Sequence, residues 1–352
     1  MSEKTLKNIP RSIWALGIVS LFMDTSSEMI HSLLPVFMVV SLGASVTAVG
    51  VVEGIAEATA MIVRIFSGTL SDYLGRRKFL TLIGYGLAAF TKPLFPMADS
   101  IGMVMFARFS DRVGKGIRGA PRDALIGDLA PPAIRGACFG LRQSLDTIGA
   151  FSGPALAIFL MLLFAGNIQA VMWVAVIPAF LSIAILLVAV KEPKRQSTEI
   201  QKTPIRLNDI RHMGAAYWQL VFIAALFTLA RFSEAFLVLK AQDAGLPLVF
   251  IPMVMVVMNI TYTLSAYPAG KMSDKRDRKV VLLAGVALLM AADIVLAMTE
   301  NWWMLAAGVS LWGLHMGFTQ GLLAAMVTDT APARLRGTAY GVFNLASGIA
   351  LL

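Results

Sequence analysis

The sequence predicts an all-α polytopic membrane protein made of two repeated halves, and three observations predict it. Of its 352 residues, 57% are hydrophobic and 14% charged, against roughly 25% charged in a typical soluble domain. Apolar runs of about twenty residues, the length a helix needs to cross about 30 Å of hydrocarbon, recur along the whole chain. Short motifs from the first part return in the second at a nearly constant offset. A soluble globule would show amphipathic stripes instead. The single cysteine, Cys138, excludes an intramolecular disulfide framework and a multi-cysteine metal cluster. The net charge of +9 would suggest nucleic acid in a soluble protein. Here the basic residues fall in short loops between spans, so orientation in the bilayer accounts for them and no nucleic-acid partner is expected.

The spans follow in order. The opening MSEKTLKNIPR is polar and basic, but the apolar segment after it is too long for a signal h-region and shows no small-residue cleavage site. It reads as a first helix that stays. Helices are predicted near 12–40, 46–70, 79–97, 101–126, 138–165, 169–190, 215–239, 247–270, 280–299 and 302–327, with an eleventh starting near 338. Basic residues gather before the first span and after the second, fourth, sixth, eighth and tenth, while the intervening turns SLGASV, AGNIQ and TEN have no Lys or Arg. The positive-inside rule then puts the N-terminus in the cytoplasm of an expected bacterial inner-membrane protein.

GTLSDYLGRRK (68–78) returns as GKMSDKRDRK (270–279), with Gly, Ser and Asp shifted by 202 positions. DLAPPAIRGACFG (128–140) returns as DTAPARLRGTAYG (329–341), shifted by 201. The expected division is therefore a first half at 1–190, a basic linker at 191–214 and a second half at 215–352. The sequence ends at Leu352 inside the eleventh predicted helix, so the second half of a six-plus-six plan is expected to be incomplete.

The repeat decides the hardest segment, ARFSDRVGKGIRGAPRD (107–123). A shift of 201 places it on the plainly apolar helix around VSLWGLHMGFTQGLLA (309–324), so it too is a spanning helix. At 3.6 residues per turn its charges, Arg108, Asp111, Arg112, Lys115, Arg118, Arg122 and Asp123, share an arc of about 140°. The other intramembrane charges are equally grouped: Asp24, Glu28 and His31 on one face of helix one; Glu53, Glu57 and Arg64 on helix two; Arg142 and Asp146 on helix five; Arg231 and Glu234 on helix seven. Helices three and nine carry one each, Lys92 and Asp293.

An ionised group near the bilayer centre costs roughly 2.5–3.5 kcal/mol on insertion scales, so each should face a partner or a cavity. Formal charge is −2 on helix one, −1 on helix two and +3 on helix four, which cancels. Two readings follow. Arg64, Arg118, Arg122 and Asp123, toward the cytoplasmic end, suit a structural ion-pair network. Asp24, Glu28, Glu53, Glu57, Asp111 and Arg112 suit transport, because carboxylates beside basic groups in a cavity take up and release protons as their surroundings change. At the repeat-related positions Glu57 becomes Asn259, and Arg108, Asp111, Arg112 and Lys115 become Val309, Trp312, Gly313 and Met316. The second half offers Asn259, Tyr262, Trp312, His315 and Gln320, a surface better suited to an organic ligand than to protons.

On these residues the chain resembles the major facilitator superfamily along its whole length. Gly68, Asp72, Gly75, Arg76, Arg77 and Lys78 match that superfamily's signature between helices two and three, and Gly270, Asp274 and Arg278 form its degenerate second copy. The resemblance implies a major facilitator fold, a cytoplasmic gate at this motif and alternating access around a midplane site. It also implies that the third helix of each three-helix unit lies outside the cavity. GAFSGP, with Gly149, Gly153 and Pro154, looks like the antiporter motif of helix five, where small residues allow close packing and proline bends the helix. The family's helix-four pattern, an Arg followed by Gln and two glycines, is not met literally; Arg108 or Arg112 with Gly114 and Gly116 would stand in for it.

The expected function is a secondary transporter, a proton-coupled antiporter exporting a small organic compound, working as a monomer without a cofactor. Two alternatives keep the fold: export of a divalent metal or metal chelate through Asp24, Glu28 and His31, or symport of an organic anion. A membrane enzyme finds no histidine cluster, cysteine nucleophile pattern or nucleotide loop to support it. A receptor would bind without moving its ligand, and a scramblase would move lipid independently of protons.

Overall fold

The protein is described here as a computed structural model covering residues 9–74, 76–131, 134–192, 213–330 and 336–350. Among these residues eleven helices carry the fold. They are α1 Arg11–His31, α2 Val46–Leu74, α3 Arg77–Thr91, α4 Ile101–Leu129, α5 Arg135–Leu163, α6 Ile168–Ala189, α7 in two arms (Ala215–Ala230 and Glu234–Asp243), α8 Met253–Lys275, α9 Arg278–Ala297, α10 Trp302–Thr330 and α11 Arg336–Ala350. Most of the predicted linker lies outside the described residues. Seven helical segments are long and apolar enough to cross a membrane by length and composition. The charged α4 is not one of them, yet it runs unbroken for 29 residues. The intramembrane charge predicted from the sequence is therefore carried by a helix, not by a loop.

Residues 77, 101, 129 and 135, which bound α3, α4 and α5, map onto 278, 302, 330 and 336, the matching boundaries of α9, α10 and α11. The offset is 201 throughout, so the halves repeat in helix geometry as well as in motif. Close packing is repeated too. A Cβ on Gly84 of α3 would lie 2.6 Å from the Arg118 nitrogen of α4, and one on the equivalent Gly285 of α9 would strike Thr319 of α10. Glycine serves close helix approach at both places, against backbone at Gly84 and against side chains at Gly285.

Two spans are less regular than predicted. α1 ends at His31 and continues through a turn at Leu34–Val36 and a π-helical turn at Phe37–Ser41. Pro35 has no N–H for the ladder, and Gly43, at φ +66°, takes the left-handed conformation that closes the segment. α7, predicted as one helix, is broken at residues 231–233. Arg231 is extended, at φ −86° and ψ 131°, and Ser233 caps the second arm by accepting the Ala235 N–H at 3.3 Å. Backbone irregularity at membrane depth is tolerated where it is buried in protein or lines a cavity.

The apolar cores show how the halves meet. At the end remote from residue 9, one continuous core joins both halves. Leu33, Leu34, Phe37, Val49 and Val52 pack in it with Leu237, Val238, Ile251 and Met255. At the other end the cores are separate, one around Ile13, Leu16, Tyr85 and Leu186, the other around Tyr217, Leu220 and Val327. The two ends are called the far and near ends below. Along the sides α2 packs on α11, where a Cβ on Gly348 would sit 3.2 Å from Met61 Cβ, and Asn259 Nδ2 of α8 donates to the Ala150 carbonyl of α5 at 3.3 Å.

Candidate functional site

The charged face of α4 is turned into the first half, against α1, α2 and α3. Gly116 makes this possible on the α2 side, since a Cβ there would lie 2.7 Å from Val63 Cβ. α2 and α4 run parallel, so charges spaced alike along both helices meet rung by rung. Arg108 Nη2 donates to Glu53 Oε2 at 2.7 Å, with side chains 2% and 1% exposed. Arg112 pairs with Glu57 at 3.1 Å, and Arg64 with Asp123 at 3.2 Å.

α1 closes the third side. His31 lies between two carboxylates, its Nδ1 3.7 Å from Glu28 Oε2 and its Nε2 3.6 Å from Glu53 Oε2. Asp24 is half-buried and has no ion pair within 4 Å among the described residues; Asp146, Arg118, Arg122 and Lys115 are its electrostatic neighbours. Lys115 is exposed. Arg142 and Asp146 pair along α5 as predicted from their spacing, and Arg142 also lies 3.9 Å from Asp123.

Gly149 and Gly153 have a specific task. A Cβ on Gly149 would meet Asp24 Cβ at 3.0 Å, and one on Gly153 would meet Glu28 Cβ at 2.7 Å. The antiporter-like glycines thus press α5 onto the turns of α1 that carry its two carboxylates. Pro154 lies inside α5, one position beyond this contact.

One residue of the cluster contradicts expectation. Helix three was expected to be plain and external, but Lys92 at its end is 1% exposed. Its Nζ donates to Asp111 Oδ1 and to Ser27 Oγ, both at 2.9 Å. A lone lysine followed by Pro93 in an apolar segment was the available signal, because an ionised group at that depth requires a counter-charge.

Of the network predicted toward the near end, Arg64 and Arg122 pair with Asp123, whereas Arg118 makes a ring contact. Arg122 pairs with Asp123 at 3.3 Å and donates to Ser20 Oγ at 2.9 Å, while the Arg118 guanidinium lies 4.8 Å from the Tyr85 ring centroid. The signature motif meets the same region. Gly68 approaches Ala120 of α4, and Arg77 is anchored to Ala124 O at 2.6 Å and Asp128 at 2.9 Å. The repeat reproduces that anchor, since Arg278 pairs with Asp329. Arg76 is exposed before α3, and Gly270 is exposed with open space around it. Gly75 and the side chains of Asp72 and Asp274 lie outside the described residues.

In the second half, Arg231 and Glu234 flank the break in α7 instead of sharing one helix face. Glu234 has His31, Arg231, Glu28 and Glu57 as electrostatic neighbours, which brings it to the first-half cluster. Asn259 is spent on Ala150. Trp312 and His315 are not cavity surface as expected; both are fully buried. Phe232, released from helix by the break in α7, packs on Trp312 with ring centroids 4.2 Å apart, and Phe227 covers His315 at 5.3 Å. No three His, Cys, Asp or Glu side chains are gathered as a metal-holding set among the described residues. On the face predicted as a metal site, His31 stays beside Glu28 at 3.7 Å and also approaches Glu53 at 3.6 Å, while Asp24 Cβ lies against Gly149 of α5.

The chain resembles known transporters in sequence and in fold. It is 30% identical to an uncharacterised MFS-type transporter of Methanocaldococcus jannaschii over 353 residues, covering 98% of this chain and 87% of that protein. It is 25% identical to the class H tetracycline resistance protein of Pasteurella multocida, covering 87% and 78%. The crystal structure of a nucleoside transporter superposes with a TM-score of 0.78 at 14% identity, over 96% of this chain and 88% of that one. The model of the Major Facilitator Superfamily matches residues 16–352. The chain therefore belongs to the Major Facilitator Superfamily of membrane transporters.

Proposed function

We propose that the protein is a proton-coupled antiporter that exports a small organic compound by alternating access. One observation carries this reading. The first half holds a set of acids and bases facing inward on α1, α2 and α4, in which Asp24 alone among the described α1 and α2 carboxylates has no ion pair, while α5 presses on the turn that bears it. A carboxylate in that position can accept a proton when the cavity faces one side and release it when the cavity faces the other. The shared core at the far end and the separate cores at the near end support a resting arrangement closed at the far end. Resistance to an organic drug, the role printed in the name of the Pasteurella relative, agrees with organic cargo.

The rest of the assignment follows the charge pattern. The N-terminus and basic loops face the cytoplasm of an inner membrane. The halves 1–190 and 215–352, joined by 191–214, work as the moving units of a monomer, and the signature at Gly68–Lys78 and its copy at Gly270–Lys279 gate the cytoplasmic side.

The test is accumulation of fluorescent ethidium, and separately of tetracycline, in inverted vesicles containing the protein. Antiport predicts accumulation when the interior is acid and its collapse by a protonophore. Accumulation that follows an alkaline interior would favour organic-anion symport, and a response to Mn²⁺ alone would favour metal export.

A further inference from the structure

Glu53 poses a problem for any proton pathway through this cluster. It lies directly beneath the far-end core residues Val49 and Val52, is 1% exposed, and has one carboxylate oxygen held by Arg108 and the other without a hydrogen-bond partner. Glu28, in contrast, has its side chain 21% exposed. A proton on Glu53 needs a carrier to reach Glu28, and Arg108 cannot serve because guanidinium stays protonated. His31 stands between them, its two ring nitrogens 3.6 and 3.7 Å from the two carboxylates. Both separations exceed a hydrogen bond, so a small ring rotation closes one contact while opening the other. His31 Nε2 is buried with no hydrogen-bond partner.

We propose that His31 is the proton relay between Glu53 and Glu28. Nε2 takes the proton from the Glu53 carboxyl, and Nδ1–H gives its own proton to the Glu28 carboxylate. The ring is left neutral in the other tautomer, and exchange of the Nε2 proton for one at Nδ1 through water in the open cavity resets it. His31 lies in the C-terminal turn of α1. The groups facing it are Glu28 from α1, Glu53 and Glu57 from α2, and Glu234 from the second arm of α7. Arg108 and Arg112 of α4 stand behind the α2 carboxylates. α6, which packs on the other side of α1, carries no titratable group. Glu234 makes the relay sensitive to the second half, since movement of α7 changes the negative field at the ring. Opening of the far-end core would load Glu53 from that side, and the relay would deliver to a carboxylate on the cavity side.

This inference rests on the proposed antiport, and the experiment separates the two. Liposomes with the unmodified protein, His31→Gln or His31→Ala are assayed for ethidium-evoked and tetracycline-evoked proton flux with an internal pH dye. They are also assayed for exchange of labelled tetracycline against unlabelled, which needs no net proton. A relay predicts that His31→Gln lowers proton flux by about tenfold or more while exchange stays close to unmodified. It also predicts that added imidazole restores flux to His31→Ala. Flux in His31→Gln equal to the unmodified protein overturns the relay and leaves antiport standing. Loss of flux and exchange together, with no imidazole rescue of His31→Ala, overturns it in favour of a structural role. Absence of evoked flux in the unmodified protein overturns antiport and the relay with it.

Discussion

The two halves of this molecule share a frame and differ in what fills it. α3 and α9, α4 and α10, and α5 and α11 begin at the same offset. The Arg77–Asp128 anchor recurs as Arg278–Asp329, and the Gly84 contact recurs at Gly285. Inside the frame, Arg108, Asp111 and Arg112 of the first half correspond to Val309, Trp312 and Gly313, and the buried Lys92 corresponds to Asp293. The comparison teaches that packing and anchoring are properties of the repeat, whereas the ionic interior belongs to one half and needs a functional reason.

The largest effect should come from breaking a buried pair in the first half. Arg108→Met leaves Glu53 charged and 1% exposed, and should cost about 3–5 kcal/mol of stability. The double variant Glu53→Gln with Arg108→Met should recover most of that in thermal unfolding of detergent-solubilised protein. Lys92→Met should behave like Arg108→Met, since Asp111 then loses its ion pair. Asp293→Leu at the equivalent place should be neutral or stabilising, because Asp293 Oδ1 already lacks a hydrogen bond. Equal losses at positions 92 and 293 would break the comparison.

Packing should be affected in both halves. Gly84→Ala puts a methyl against backbone at Arg118 and Gly114, while Gly285→Ala meets the Thr319 and Phe318 side chains. Each should cost roughly 1–3 kcal/mol, with Gly84→Ala the worse because backbone cannot turn aside. The smallest effect is expected at Arg278→Gln. Its pair with Asp329 is 30% and 53% exposed and should be worth about 0–1 kcal/mol. Arg77→Gln, whose side chain is 10% exposed and also donates to Ala124 O, should cost more.

Much of the frame was legible in the sequence because it is written locally. Apolar run length, basic loops and the repeat located the eleven helices, and the repeat identified α4 as a span despite its charge. The arc of charges on α4 also gave the direction that α4 presents to its neighbours. Depth and partner choice were not legible. Periodicity says that Glu53 and Arg108 face inward, but their pairing follows from the parallel register of α2 and α4, which close contacts at Gly116 help to fix. Lys92 was visible as an intramembrane charge, but its partner Asp111 was not, because a single charge has no periodicity. The break at Arg231 escaped because Ser233 is its one local marker, an N-cap inside an apolar stretch. Trp312 and His315 looked like cavity residues because polar atoms in a span suggest exposure. Phe232 and Phe227, brought over them by α7, bury both.

The central claim is that the first half's ionic interior couples proton movement to an organic cargo, with Asp24 as the group that remains free to titrate. It is tested most directly by proton flux into liposomes holding the full chain, evoked by tetracycline or ethidium, for the unmodified protein against Asp24→Asn. The account predicts evoked flux in the unmodified protein and a loss of about tenfold or more in the variant, with the probe still bound. Undiminished flux in Asp24→Asn, or flux evoked by Mn²⁺ and by neither organic probe, would contradict it.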